Sequence, residues 1–158
     1  MTPANEDPRY LRKARLISLA FLAAPLVYIG ILVIVHLSGT VSVELDNGTL
    51  NLFTVVLLVL GAFSLIQGFL FPRRVIRMAR NRAPTNADQS IYGAQILRYA
   101  CFEAISIYGL MLGILGSKLP ILVPFFVVSL VAMVATFPNE DRWRSMRTEF
   151  NQAGTGTH

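Results

Sequence analysis

The sequence predicts an all-α integral membrane protein: a bundle of four transmembrane helices, with both termini in the cytoplasm and a small extracytoplasmic β-hairpin between helices one and two. Three observations predict this fold. Hydrophobic residues make up 54% of the 158 residues and charged residues only 15%, whereas a soluble domain has about 25% charged residues. Four long apolar runs are almost free of charge. Of the 14 lysines and arginines, all but one lie in the two tails, between the second and third runs, or near the start of the third run. If each run crosses the membrane, these segments face the same side of it.

The four apolar runs are long enough to span a bilayer, because a transmembrane helix needs about 20 mostly apolar residues. They cover residues 16–37, 50–71, 92–115 and 119–137. The first follows a basic segment, as a signal peptide would, but it exceeds the roughly 7–15 apolar residues of a signal peptide. We therefore expect it to be retained. The third contains Arg98 and Glu103, yet apolar residues surround both on every side.

Loop charges predict the orientation, because lysine and arginine are retained on the cytoplasmic side of a membrane. They occur in the N-terminal tail, between spans two and three, and in the C-terminal tail, and Lys118 is the exception. We therefore expect a bacterial cytoplasmic membrane location with both termini cytoplasmic. The net charge of +5 then reflects topology and attraction to anionic lipid headgroups. We expect membrane lipid as a partner and no nucleic acid.

Two segments outside the spans have patterns of their own, within a chain that we interpret as a single membrane domain. Residues 41–52 alternate apolar and polar around Asn47-Gly48, a pattern typical of a hairpin with a type I′ turn. After Pro138, Asn139 can cap a helix to about Phe150. We expect residues 138–158 to form a cytoplasmic helix on the membrane surface, followed by a disordered tail.

Glu103 is the main candidate functional residue, since it lies about seven residues inside the third span. A charged side chain at such depth costs about 2.5–3.5 kcal/mol and is functional by default. The carboxyl group must therefore be protonated, paired or in contact with water. One interpretation is structural, with Glu103 satisfied inside the bundle, and the other is that it handles a proton or cation. The partners expected at this depth are Gln67, Ser64, Ser129 and the Phe21 carbonyl that Pro25 leaves free.

Small residues follow Glu103 along one face of the third span and recur on the second. They are Ser106, Gly109 and Gly113 on span three, and Gly61, Ser64 and Gly68 on span two. Small side chains let helix backbones approach closely in lipid. We expect spans two and three to pack as a tight hairpin, with oligomer contacts through the same faces as the alternative.

The segment Phe102–Leu112 resembles the C-terminal helix of the ATP synthase proteolipid, subunit c. In that family a similar Ala-Ile-x-Ile-Tyr-Gly-Leu run follows an ion-carrying carboxylate, which corresponds to Glu103 here. Arg82-Ala83-Pro84 stands where the family has an Arg-(Asn/Gln)-Pro loop, and Ile96-Leu97 stands where it has paired apolar residues. The resemblance implies that Glu103 binds a proton or monovalent cation and that Arg82 lies in the loop facing the rotor stalk.

The chain departs from the proteolipid pattern in three respects. Span two lacks a glycine at every second position, the middle loop residue is Ala83, and an extra span flanks the hairpin on each side. We therefore expect a small non-catalytic membrane subunit that assembles with other subunits or with itself. The alternatives are a proton- or cation-translocating proteolipid-like subunit that uses Glu103, and a pigment- or heme-associated accessory subunit of a photosynthetic or respiratory complex. In the accessory subunit, His36 would be an axial ligand to heme or chlorophyll.

The remaining polar residues do not predict an enzyme. We identify no catalytic residues and no metal site, because His36 has no second histidine at ligand spacing and Cys101 is the sole cysteine.

Overall fold

A computed structural model of the chain describes residues 8–39, 46–82 and 87–152. Within these ranges the protein consists of helices joined by short connections, and no strand is present. The helices are α1 (Pro8–Ser38), α2 (Asn47–Arg82), α3 (Ala87–Ile114), α4 (Leu119–Ala135) and α5 (Glu140–Gln152). The prediction of an all-α protein is therefore confirmed for the described part of the chain.

Three of the helices are long and apolar enough to cross a membrane: Arg9–Ser38, Asn47–Pro72 and Ala87–Ile114. The fourth predicted span corresponds to α4, which has 17 residues and is therefore about 25 Å long at 1.5 Å per residue. That is the lower limit for a membrane span. It passes the same test only when it is joined to α5, although the two helices are bent by 70°. The structure thus supports an integral membrane protein with three or four spans.

The predicted β-hairpin over residues 41–52 is wrong in its second half. Residues 47–52 form the first turns of α2, and residues 41–45 lie outside the described ranges. The carboxylate of Asp46 explains the helix, because its Oδ2 accepts hydrogen bonds from the backbone amides of Gly48 (3.1 Å) and Thr49 (3.2 Å). Such a cap satisfies amides that a helix start leaves unpaired. Hydrogen bonds from Thr49 lower the pKa of Asp46.

Helix α3 is the central element of the bundle, since it packs against α1, α2 and α4. α1 and α3 run parallel, as three contacts along their length show. These contacts are Tyr10 with Tyr92 at one end, Phe21 with Tyr99 in the middle, and Leu32 with Gly113 at the other end. We call the end that holds the starts of α1 and α3 and the whole of α5 the basic end. Its described basic residues are Arg9, Arg12, Lys13, Arg15, Arg142, Arg144 and Arg147.

The bundle buries several polar side chains beside its apolar core. Large apolar side chains of α1, α2 and α4 lie exposed on the outside, whereas several polar side chains are buried between the helices. This distribution is unfavourable in water and favourable in lipid, where polar groups must find partners inside the protein. The buried polar residues are Ser18, Asp88, Gln95, Ser106, Ser117, Ser129 and Thr136.

Two tight connections position α4 and α5. α3 ends in a left-handed glycine, Gly116 (φ 85°), and the Ser117 amide bonds back to the Leu112 carbonyl at 3.0 Å. This pattern is a Schellman motif. Beyond α4, Pro138 is buried, and Oδ1 of Asn139 accepts a bond from the Arg142 amide at 2.9 Å, so Asn139 caps α5 as its sequence position suggests.

Candidate functional site

Glu103 lies in the central part of α3 and faces α1. The hydroxyl of Tyr28 on α1 donates a hydrogen bond to Oε1 of Glu103, with an O···O distance of 2.7 Å. This length is typical of a well-formed O–H···O bond. Both side chains are half-buried. The carboxyl group at membrane depth therefore has a polar partner supplied by the same chain, and the bond ties α1 to α3.

Tyr28 is a partner that we did not expect from the sequence. Side chains on a helix lean toward the N-terminus of that helix, so Tyr28 reaches back toward the level of Pro25. This direction brings its hydroxyl to Glu103 because α1 and α3 run parallel and lie side by side. The sequence does show a hydroxyl-bearing residue three positions after Pro25. It could not be assigned to Glu103, however, without knowing that α3 packs beside α1.

The partners that we expected for Glu103 make other contacts within the described residues. Oγ of Ser129 donates to the carbonyl of Phe102 at 2.8 Å. Ser64 is half-buried on α2, and Oε1 of Gln67 is buried with no hydrogen-bond partner in the described part of the chain. The structure therefore does not bring Gln67 or Ser64 into a hydrogen bond with Glu103.

Ser106 lies one turn beyond Glu103 on α3 and is fully buried. Its hydroxyl has no hydrogen-bond partner among the described residues, and neither has Oε1 of Gln67. Gln67 is close in sequence to this region of contact, since the next residue, Gly68, packs against Phe102. A buried polar atom without a partner costs about 1–3 kcal/mol, and such atoms bind ordered water where space allows. The Ser106 hydroxyl and Oε1 of Gln67 thus each have unused hydrogen-bonding capacity, and Ser106 is on the same helix as Glu103.

Arg98, the other charged residue in the third span, bonds to α2 and to its own helix. Its Nε donates to the carbonyl oxygen of Gly68 at 3.3 Å, and its Nη1 donates to Oε1 of Gln95 at 3.2 Å. The Gly68 carbonyl lacks its usual helical donor because the residue four positions later is Pro72, which has no N–H. Arg98 therefore fills a gap in the hydrogen bonding of α2 and joins α3 to α2.

Two further side chains of α3 bond to carbonyl groups at the end of α4. Nε2 of Gln95 donates to the carbonyl of Thr136 at 2.9 Å, and the hydroxyl of Tyr99 donates to the carbonyl of Met133 at 3.1 Å. The Met133 carbonyl also accepts from the Thr136 amide at 3.3 Å, so the bond from Tyr99 is an additional one. The polar residues of α3 therefore hold α4 at its C-terminal end.

The glycines predicted to mediate close helix contact each face a large side chain. A Cβ atom on Gly68 would overlap the ring of Phe102, so α2 and α3 approach more closely there than an alanine would allow. These contacts lie within one chain and use all three long helices together with α4. The pairs are Gly61 with Phe125, Gly68 with Phe102, Gly109 with Phe125 and Phe126, and Gly113 with Leu32.

Asp88 is a buried carboxylate at the start of α3. It lies in the first turn of α3 and is only 2% exposed. Its Oδ1 accepts a bond from the indole Nε1 of Trp143 at 3.1 Å, and its Oδ2 pairs with Nη2 of Arg147 at 2.9 Å. Trp143, which belongs to the helix that we expected on the membrane surface, is therefore packed inward against the bundle. Both donors belong to α5, so Asp88 holds α5 to the basic end.

The two remaining sequence candidates lie apart from Glu103 or carry no polar contact. His36 is exposed in the last turn of α1, and Cys101 is half-buried on α3. Among the described residues, no group of three or more histidine, cysteine, aspartate or glutamate side chains is placed to hold a metal ion.

Comparison of the chain with protein-family models, with curated proteins and with solved structures finds no match.

Proposed function

We propose that this chain is a small non-catalytic subunit of a membrane assembly, embedded in a bacterial cytoplasmic membrane with both termini in the cytoplasm. It contacts other membrane subunits or further copies of itself. The observation that carries this proposal is the hydrogen bond from Tyr28 to Glu103. That bond gives the carboxyl group at membrane depth a structural use, the attachment of α1 to α3.

The other buried polar groups support the same interpretation, because they connect helices. Arg98 bonds to α2, while Gln95 and Tyr99 bond to the end of α4. Interhelical hydrogen bonds of this kind stabilise membrane helices by about 0.6 kcal/mol on average. A bundle whose buried polar side chains bond its own helices together is suited to act as a rigid membrane-embedded part of a larger assembly.

The surface through which the subunit assembles is the apolar exterior rather than the small-residue faces. The glycines of α2 and α3 contact side chains of the same chain, so they are already covered. Exposed valines run along the outside of α4, and they offer a smooth apolar surface to a neighbouring helix or to lipid. They are Val123, Val127, Val128, Val131 and Val134.

Native mass spectrometry of the chain, released gently from its own membrane, tests this proposal. We expect a mass well above the 17.5 kDa of one chain, made up by other membrane proteins or by further copies. The variant Glu103→Gln keeps the shape of the side chain and can still accept the bond from Tyr28, so the assembly should be unchanged. A single chain without partners in every detergent and lipid tried would contradict the proposal.

A second candidate function is cation or proton exchange at Glu103, which the resemblance to subunit c implies. The observation that favours it is the buried hydroxyl of Ser106, one turn from Glu103 and without a partner in the described residues. A carboxylate, a phenol and a free serine hydroxyl are oxygen ligands of the kind that a hard cation prefers. In this function Glu103 carries the ion and Ser106 and Tyr28 complete its surroundings.

Calorimetric titration of the protein in lipid nanodiscs with Na⁺ tests the second function. Saturable binding that disappears in Glu103→Gln and weakens in Ser106→Ala would support it. Ser129→Ala is the matched control, because that hydroxyl already donates to the carbonyl of Phe102. Absence of a heat of binding at every pH, together with proton uptake unchanged in Glu103→Gln, would rule it out.

A further inference from the structure

One buried carboxylate of the bundle, Asp88, bonds to two side chains of helix α5. Both oxygens of Asp88 are used, one by the Trp143 indole at 3.1 Å and one by Arg147 at 2.9 Å. The side chains of Asp88 and Arg147 are 3% and 17% exposed. The other ion pair of α5, between Arg15 and Glu140, is longer at 3.4 Å and largely exposed, and exposed pairs contribute little.

The apolar side of α5 fits two different surroundings. In the structure Trp143 and Met146 pack against Ala14 and Ile91 at the basic end. The same residues form one stripe on an otherwise strongly polar helix, and helices of this kind also lie in the membrane interface with the apolar stripe in lipid. α5 therefore has a second favourable position available to it.

The outward side of α5 and the start of α1 form a basic surface. Arg142 and Arg144 are exposed on α5, and Arg9, Arg12 and Lys13 are exposed on α1. The ion pair between Arg15 and Glu140 and the contact of Trp143 with Ala14 hold the two elements side by side. Exposed Leu16 and Leu19 follow immediately along α1. The basic surface therefore lies at the edge of the lipid-facing belt, at the level of the phospholipid headgroups.

We propose that α5 is a latch that Asp88 holds closed, and that anionic phospholipid headgroups open it by competing with Asp88 for the arginines of α5. When the latch opens, the stripe of Trp143 and Met146 moves from the bundle into the membrane interface. The Asp88 carboxylate then faces the aqueous side. A membrane rich in anionic lipid thus changes the surface that this end of the molecule presents.

The fluorescence of Trp143 measures this change directly, because Trp143 is the sole tryptophan of the chain. The protein is reconstituted in phosphatidylcholine vesicles with and without phosphatidylglycerol, and quenching by lipids brominated near the headgroup is recorded. We expect weak quenching in phosphatidylcholine and a several-fold rise with phosphatidylglycerol. Added salt should reverse the rise, because salt screens the attraction between headgroups and arginines. Inorganic phosphate in phosphatidylcholine vesicles should produce no rise.

The variants separate the latch from a general loss of structure. Asp88→Asn keeps an acceptor for the Trp143 indole but removes the charge that pairs with Arg147, so quenching should be strong in phosphatidylcholine alone. Arg147→Gln should behave in the same way, since it removes the other partner. Glu140→Gln is the matched control, because it removes the exposed ion pair and should leave quenching weak.

Two results would overturn the latch. The first is equal quenching of the wild-type protein in the two kinds of vesicle. The second is weak quenching of both Asp88→Asn and Arg147→Gln in phosphatidylcholine, with helical circular dichroism unchanged.

Discussion

Among single residues, Tyr28 supplies the hydrogen-bond donor to the carboxyl group of Glu103 between α1 and α3. An acidic side chain at membrane depth costs about 2.5–3.5 kcal/mol on insertion scales. A single interhelical hydrogen bond recovers only part of this cost, since measured values average about 0.6 kcal/mol and reach about 1.7. The bond therefore makes Glu103 tolerable between α1 and α3 without making the site strongly stable.

Replacing Tyr28 with phenylalanine should weaken the attachment of α1. We expect Tyr28→Phe to lower the free energy of unfolding in bicelles by about 0.5–1.5 kcal/mol, because Oε1 of Glu103 loses its donor. Tyr108→Phe is the control, since Tyr108 is also half-buried and its hydroxyl makes no hydrogen bond to a described residue. A double-mutant cycle with Glu103→Leu should show coupling of similar size, and zero coupling would contradict the bond.

Asp46 gives the start of α2 a dependence on pH. Hydrogen bonds from Thr49 lower the pKa of Asp46, so its cap is fully present above the unfolded pKa of about 3.9. The cap is lost as the pH falls through the lowered, folded value. The protection factors of the Gly48 and Thr49 amides, which are exchange rates corrected for the intrinsic effect of pH, should therefore fall at low pH. Asp46→Ala should show similarly low protection at neutral pH, and unchanged protection in that variant would contradict the cap.

At the scale of helices, polar side chains of α3 join the bundle by bonding to backbone carbonyls of its neighbours. Pro72 leaves the Gly68 carbonyl without its helical donor, and Arg98 of α3 donates to that carbonyl. Gln95 and Tyr99 bond to carbonyls in the last turn of α4. Because α3 reaches both neighbours in this way, it fixes the positions of α2 and α4 more firmly than apolar packing alone would in lipid.

Gly68 on α2 packs directly against a ring of α3, so this position should not accommodate a side chain. We expect Gly68→Ala to destabilise the protein by about 1–3 kcal/mol, the usual cost of overpacking a close contact, because the new methyl group overlaps the buried ring of Phe102. Thermal unfolding in detergent measures the change.

Gly30→Ala is the matched control for that substitution. Nothing lies within 4 Å of a Cβ atom at Gly30, and alanine favours a helix over glycine by about 1 kcal/mol. Gly30→Ala should therefore be neutral or stabilising. Equal effects of the two substitutions would contradict the close contact at Gly68.

Helix positions followed from the sequence better than helix neighbours did. Apolar run length predicted α1 to α4 because lipid requires a nearly continuous apolar helix surface. The hairpin prediction failed because we interpreted the alternating pattern and Asn47-Gly48 as a turn between strands. The carboxylate of Asp46 instead caps the start of α2. The burial of Asp88 could not be predicted from its own segment. It depends on Trp143 and Arg147, which are more than 50 residues away in sequence and come close only after α5 folds back.

For the whole molecule, the number of spans decides where the termini lie. α1, α2 and α3 qualify as spans by length and composition, and α4 with 17 residues is at the lower limit. With four spans the two termini lie on one side, and with three they lie on opposite sides. The charge distribution favours four, since the basic residues of α1 and α5 lie together at one end of the bundle.

Thiol labelling should place both termini on the cytoplasmic side. The chain has one native cysteine, Cys101, so Cys101→Ser gives a background in which a cysteine is added near either end. We expect a membrane-impermeant maleimide to leave both added cysteines unlabelled in intact spheroplasts and to label both after lysis. Labelling of the C-terminal cysteine alone before lysis would show that α4 does not cross the membrane.

The position of Glu103 at membrane depth was clear from the sequence, but its hydrogen-bond partner was not. A lone carboxylate in an apolar run is conspicuous because placing it in lipid costs free energy. Its contact with Tyr28 depends on α1 running beside α3, 75 residues apart in the chain, and no pattern of spacing within either helix encodes that arrangement. Gln67 and Ser64 on α2 were plausible partners because they lie at a similar depth, but the hydrogen bond to Glu103 comes from Tyr28.

Reaction of the native protein with dicyclohexylcarbodiimide tests most directly whether Glu103 is a structural group or an exchanging one. The reagent enters membranes and modifies carboxyl groups that exchange protons there, and mass spectrometry locates the product. Because the hydroxyl of Tyr28 holds Oε1 of Glu103 in a hydrogen bond between α1 and α3, we expect no modification at Glu103 in the folded protein at any pH. Modification that depends on pH and is prevented by Na⁺ would contradict it and would establish the exchanging function instead.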